Sequence, residues 1–329
     1  MNKIIYKLVK GKNRGCVEMP KNKVKLIEDN FIMSPKYDFV FKYIFGNEKH
    51  KDLLIALLSD VLSVPEEEFD EIEIMNSELL KQFKEDKKGI LDVRIRTKAG
   101  KQIDVEIQIL PTDYMAERTI FYWSKMYTSQ IKPGDTYDKL KKCITINIVD
   151  FKCTPIKKLY SSYHLTEDKT GYRLTDILEV HFLEIPKLFD EDIEKDENDP
   201  IVQWMEFLDG KSKGVMEMLA EKNKDIKKAY DLLKIISKDE KAKMLYEARQ
   251  AEISDQLTRL KSAEEKGIEK GIERGIERGI EKGIEKGATE KALRVAEKML
   301  RRGDSIEDIV DMTELSKENI IDLKKKYQN

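Results

Sequence analysis

Three residues, Asp92, Glu106 and Gln108, carry the clearest chemistry in the sequence. Residues 90 to 97 read Ile-Leu-Asp-Val-Arg-Ile-Arg-Thr, and residues 102 to 109 read Gln-Ile-Asp-Val-Glu-Ile-Gln-Ile. Strict alternation puts Leu91, Val93 and Ile95 on one face and Asp92, Arg94 and Arg96 on the other. In the second run it separates Ile103, Val105, Ile107 and Ile109 from Gln102, Asp104, Glu106 and Gln108. Both strands are therefore expected to be half-buried. Lys98-Ala99-Gly100 fits a three-residue hairpin loop with glycine at the left-handed position. With Thr97 facing Lys101, the register pairs Arg96 with Gln102, Arg94 with Asp104, and Asp92 with Glu106. Arg94 and Asp104 then form a cross-strand ion pair. Asp92 and Glu106 instead set two carboxylates with Cβ atoms about 5 Å apart, which is destabilising unless something offsets it. A divalent cation held by these hard oxygens, Mg²⁺ or Mn²⁺, is the simplest offset. A shared proton or a register shifted by a bulge are the alternatives. By pattern alone, an ordinary amphipathic hairpin with a charged face fits better than a metal site.

Other chemistries have little to work with. The three histidines, His50, His164 and His181, are not paired at ligand spacing, which disfavours zinc hydrolases and histidine–metal schemes. Cys16, Cys143 and Cys153 form an odd set without metal spacing and read as reduced thiols of a cytosolic protein. The 61 Lys+Arg and 63 Asp+Glu leave a net charge of -2, so any contact with a polyanion must come from a local basic patch. No apolar run approaches the roughly 20 residues needed to span a bilayer, and the N-terminus has no signal-peptide pattern. The expectation is a soluble, cytoplasmic protein without a membrane partner. A charged fraction of 38%, against about a quarter in ordinary domains, points to long solvated helices.

The elements that must position the hairpin can be read on either side of it. Residues 1 to 32 are basic and lack periodicity, as in a loosely ordered extension. Ser34 at an N-cap and Pro35 at the first helical position predict a helix carrying Phe41, Ile44 and Phe45 and closed by Gly46. A second helix presents Leu53, Leu54, Leu57, Leu58 and Val61 to the core. The period becomes two at Ile72, predicting strands near 70–76, 90–97 and 102–110, followed by a helix from about Asp113 to Ile131. Cys143 to Val149 reads as a strand covered on both faces, with further strands near 156–165 and 176–185. An α/β core at 33–190 would then be followed by a helical region at 199–262, with helices at Val202–Leu208, Val215–Leu219 and Ile226–Ile236.

Residues 263–288 hold a Lys/Arg-Gly-Ile-Glu repeat with Ile268, Ile272, Ile276, Ile280 and Ile284. A period of four advances about 400° per repeat, so the isoleucine stripe drifts right-handedly and would have to wrap around a partner. Each glycine costs up to about 1 kcal/mol of helix propensity, so such a helix would draw stability from self-association. A low-complexity spacer is the competing reading. The remainder, 289–329, predicts a small hairpin of Ile306–Met312 and Ser316–Lys326 with N-caps at Ser305 and Ser316. A dimerisation hairpin is favoured over a DNA-binding helix-turn-helix, because the second helix carries acids as well as lysines. The chain is thus expected to form homo-oligomers through its C-terminal helices.

The set Asp92, Glu106 and Gln108 resembles the PD-(D/E)XK nuclease superfamily, with Gln108 where most members have lysine. The surrounding segments, Ser34 to Gly46, Leu91-Asp92-Val93-Arg94, Val105-Glu106-Ile107-Gln108, and Arg118 with Tyr122-Trp123 and Tyr127, resemble the recombination-promoting nuclease and transposase family called Rpn. The similarity covers roughly 33 to 185, and a Gly-Ile-Glu repeat tail is also common in such proteins.

This resemblance implies a restriction-endonuclease-like core, a mixed central sheet flanked by helices, followed by an all-helical tail. It also implies Mg²⁺-dependent endonuclease activity on DNA, in recombination, mobile-element movement or defence. Asp92 and Glu106 would ligate the metal, which polarises the scissile phosphate and activates a water. Gln108 can orient a water or a phosphate oxygen but carries no charge and takes no proton, so the base's role falls to the activated water or to the substrate phosphate. Asp38 sits in the first-helix motif, either near the metal or as an ordinary first-turn acid. Arg118, Tyr122 and Lys125, at i, i+4 and i+7, could line a phosphate track or form a solvated face. Lys81, Lys84, Lys87 and Lys88 form the densest nearby basic cluster, suited to nonspecific backbone contact. The competing functional reading is a weakly catalytic DNA-binding scaffold that oligomerises through its repeat tail.

Overall fold

The computed structural model describes residues 31–75 and 92–328. The basic extension, save its last two residues, and the lysine cluster at 81–88 lie outside the described residues. The chain divides into two compact units, Met1–Ala248 and Arg249–Asn329.

The first helix begins later than the Ser-Pro signal predicts. α1 spans Asp38–Phe45, with Tyr37 at the N-cap, and buries Val40, Phe41, Ile44 and Phe45. Ser34 and Pro35 form a preceding turn that is itself buried. The reason is tertiary. The Ser34 hydroxyl is drawn to the Asp209 carbonyl and its amide donates to the Tyr246 hydroxyl. Gly210, at φ +62, lets this turn approach so closely that a Cβ there would meet Pro35 Cδ at 2.6 Å. α2 (Lys51–Leu62) follows, with Leu53, Leu54, Leu57, Leu58 and Val61 all buried as their spacing predicts.

The sheet has six strands, β1 (Ile72–Ile74), β2 (Val93–Thr97), β3 (Gln102–Gln108), β4 (Cys143–Val149), β5 (Tyr160–His164) and β6 (Leu178–Glu184), in the order β1-β2-β3-β4-β6-β5. β3, β4 and β6 run parallel at the centre, and the antiparallel hairpins lie at the edges. α3 (Met115–Thr128) makes the crossover between the parallel pair β3 and β4. It covers the sheet face that carries Glu106 and Asn147, anchored where the Thr119 hydroxyl meets Asn147 Oδ1 at 3.1 Å. The mixed α/β architecture is the expected one.

One expectation about the hairpin fails: β3 is not half-buried. Residues Gln102 to Ile107 are buried on both faces, because α3 lies over the polar face and α1 packs against the strand as well. Three more helices, α4 (Pro200–Asp209), α5 (Lys213–Lys222) and α6 (Lys224–Ser237), belong to the same unit. α4 seats the fully buried Trp204 edge-on to Phe45, with its indole N–H on Asp60 Oδ2 at 2.7 Å. α4 and α6 thereby hold α1 and α2 in place beneath the sheet's hairpin.

The second unit holds most of α7 (Glu240–Arg302), together with α8 (Ile306–Thr313) and α9 (Lys317–Gln328). Ser305 caps α8 through the Asp308 amide, and the Ser316 hydroxyl accepts from the Asn319 amide. Ala296, Met299, Ile309, Leu315 and Ile320 form a small core of their own. The tetrapeptide repeat is helical throughout, and its five isoleucines remain 56% to 68% exposed. No helix among the described residues is long and apolar enough to cross a membrane.

Candidate active site

The hairpin closes as its loop residues predict. The Gly100 amide donates to Thr97 O at 2.8 Å, Thr97 N to Lys101 O at 2.9 Å, and Gly100 takes φ +85. Arg94 is the register partner of Asp104, and Arg96 of Gln102. Asp92 lies just before β2, and its Oδ2 accepts from the Ile107 amide at 2.8 Å. That bond ties Asp92 to the residue next to Glu106, close enough for the Asp92 charge to act on Glu106.

Two helices then deliver cations to these acids. Lys42 Nζ, from α1, stands 3.1 Å from Asp92 Oδ1, and the Arg118 guanidinium, from α3, bonds Glu106 Oε1. Glu106 Oε2 is buried without a hydrogen-bond partner among the described residues. Asp104, two residues earlier on the same face, is 1% exposed, and neither of its carboxylate oxygens has a hydrogen-bond partner there. The expected Arg94–Asp104 bond is not made. The Arg94 guanidinium donates instead to Gln102 Oε1 at 2.6 Å, within its own hairpin face.

Burial sets the protonation of this cluster. It pushes Asp92 above the usual carboxylate range, against the Ile107 amide and Lys42, which favour the charged form. Glu106 is raised by burial against the pull of Arg118, and Asp92 adds to the rise. Asp104 goes up furthest, first through burial and then through the Glu106 and Asp92 carboxylates. Burial opposes the charge on Arg118, but the Glu106 carboxylate outweighs it and leaves that guanidinium raised. Among the described residues, three acids of elevated basicity therefore cluster with two cations.

The other sequence-predicted residues are placed as follows. Gln108 is half-buried at the end of β3, and its side-chain amide donates to the Leu110 carbonyl at 2.9 Å. Asp38 lies in the first turn of α1, one turn before Lys42, and its charge contributes to the rise of Asp92. Tyr122 is brought to the site by Arg118, whose guanidinium carbon lies 4.8 Å from the ring centre. Lys125 has its ammonium 5.6 Å from the centre of the Phe121 ring. Two members of the cluster escape sequence reasoning: Lys42, and Asp104 as a second acid, beside Glu106, with unsatisfied oxygens. The signals for Lys42 are its place in the Ser34 to Gly46 motif and its position four residues after Asp38, on the same helix face.

Buried acceptors without donors are the kind of group a hard divalent cation satisfies, and the donor set here is all carboxylate oxygen. Among the described residues, no group of three or more His, Cys, Asp or Glu side chains is arranged to hold a metal ion. Two neighbouring carboxylates would be enough for Mg²⁺, which commonly takes one or two and completes its shell with water and substrate phosphate.

A family model described as PD-(D/E)XK nuclease family transposase matches residues 35–263. The match runs from the turn before α1 through the hairpin and α3 to the helices after the sheet, further than the 33–185 span of the motifs alone. No curated protein matches the chain, and no solved structure does.

Proposed function

We propose that this chain, which belongs to the PD-(D/E)XK nuclease family transposases, is a divalent-cation-dependent endonuclease that hydrolyses phosphodiester bonds in DNA. The observation that carries the proposal is the buried pair Asp92 and Glu106. The two stand side by side on the matched hairpin, with one Glu106 oxygen left without a donor. Structural carboxylates at such burial are ordinarily satisfied.

In this reading Asp92 and Glu106 hold Mg²⁺ or Mn²⁺, which when bound polarises the phosphate and lowers the pKa of water. Hydrolysis joins a water oxygen to phosphorus and breaks the bond to one sugar oxygen, which leaves with its electron pair. The water gives up one proton and the leaving oxygen gains one. Asp92 is aimed by the Ile107 amide and Glu106 by Arg118, so both carboxylates are oriented before substrate arrives. Gln108 can orient the water or a phosphate oxygen but cannot serve as base. Asp38, Arg118 and Tyr122 support the site, and Lys125 extends a basic flank along α3. The biological setting would be recombination, mobile-element movement or defence, with α7 to α9 assembling several copies.

The test is nicking of supercoiled plasmid by purified protein with Mg²⁺ or Mn²⁺. Activity that EDTA removes and Asp92→Ala abolishes supports the reading, whereas DNA binding without cutting supports the scaffold alternative. The assembly reading has its own check: a chain ending at residue 262 should show fewer copies per particle in light scattering, and an unchanged number of copies removes it.

A further inference from the structure

We propose that Lys42 supplies the positive charge that Gln108 lacks, placing its ammonium on the scissile phosphate during cleavage. The inference rests on the nuclease reading and adds to it a residue from a different element. Attack of water on a phosphodiester concentrates negative charge on the non-bridging oxygens, and a fixed cation beside them lowers the barrier. Gln108 is neutral, and its side-chain amide donates one N–H to the Leu110 carbonyl at 2.9 Å.

Among the described residues, two cations touch the paired acids. Arg118 is held twice, by Glu106 and by its stacking on Tyr122. Lys42 forms an ion pair with Asp92 at 3.1 Å and, at 35% exposed against 12% for Asp92, reaches solvent as Arg118 does at 34%. Its backbone is nonetheless fixed, because Val40, Phe41, Ile44 and Phe45 of the same helix are fully buried. A lysine so anchored combines a rigid base with a compact charge on a mobile stem, a combination suited to a phosphate oxygen. With Asp92 engaged in holding a divalent cation, the Lys42 ammonium would be free to turn to the substrate phosphate.

The experiment compares wild type, Lys42→Met, Lys42→Arg and the double variant Lys42→Met with Gln108→Lys on supercoiled plasmid. DNA affinity in EDTA and thermal unfolding are measured alongside. Lys42→Met should lower the nicking rate by on the order of 100-fold while leaving the melting temperature in place. Its DNA affinity should fall only a few-fold, as about one phosphate contact is lost. Lys42→Arg should keep part of the activity, and Gln108→Lys should restore part of it to Lys42→Met, because a charge returned from the neighbouring strand serves the same phosphate. Lys42→Met cutting within about threefold of wild type overturns the inference, as does loss recovered by neither charge-restoring variant. A wild-type chain that does not nick at all overturns the nuclease reading itself.

Discussion

Glu184 and Glu106 lie on the same face of the same sheet, both almost wholly buried, and the protein treats them in opposite ways. Glu184 accepts from the Cys153 and Thr154 amides, the Thr154 hydroxyl and Lys187 Nζ at 2.6 Å, so both of its oxygens are occupied. Lys187 is itself buried and also donates to the Ile156 carbonyl. Among the described residues, Glu106 has one guanidinium and one oxygen without a donor, beside Asp104 with two such oxygens. The first arrangement fastens a loop to the end of β6. The second keeps acids ready at a cost in stability, a cost that selection tolerates where a ligand is to be bound.

If that contrast is right, removing a partner from the satisfied corner should do the most damage. Lys187→Met leaves Glu184 buried without its cation and should cost about 3–5 kcal/mol in urea unfolding. A loss near zero would mean that the corner is no more structural than the hairpin. A smaller loss is expected at Glu179, which His181 and Lys142 hold below the usual carboxylate range in spite of burial. A depressed folded pKa contributes stability above the unfolded value of about 4.3, lost as pH falls through the folded one. Glu179→Gln should therefore cost roughly 1.5–3 kcal/mol at pH 7 and progressively less in acid, as a urea series across pH would show.

The hairpin should respond with the opposite sign. Asp104 is raised by burial and by its neighbouring carboxylates, so between the unfolded value of about 3.9 and the folded one the native state holds a proton that the unfolded state has released. Stability then falls as pH climbs through that window. Asp104→Asn removes the dependence and should stabilise the chain at pH 7 by about 1–2 kcal/mol, the smallest of the three effects. Destabilisation by this change would show that the acid has a donor after all and would erase the contrast.

Much of this hairpin was legible in the letters. Alternation and the Lys98-Ala99-Gly100 loop lead to the observed register, and Cys143–Val149 is read to the residue because a strand covered on both faces is apolar throughout. The face on which Asp104 and Glu106 lie was legible, but its burial was not, since α3 covers it only through tertiary packing. For the same reason the Arg94 guanidinium could not be traced to Gln102 rather than to Asp104, because local pairing does not rank two acceptors on one face. Lys42 lies 50 residues before Asp92, and no periodicity joins them. The Ser34-Pro35 signal misled because its hydroxyl serves α4 instead of the helix it precedes.

The most direct test measures two properties of Glu106→Gln together: metal-dependent nicking of supercoiled plasmid and stability to urea. The expected result is nicking reduced by on the order of 100-fold or more with stability unchanged or higher, since the substitution removes a charge the fold does not need. Nicking at the wild-type rate, or wild-type nicking that survives EDTA, would contradict the claim that these buried acids are the catalytic centre.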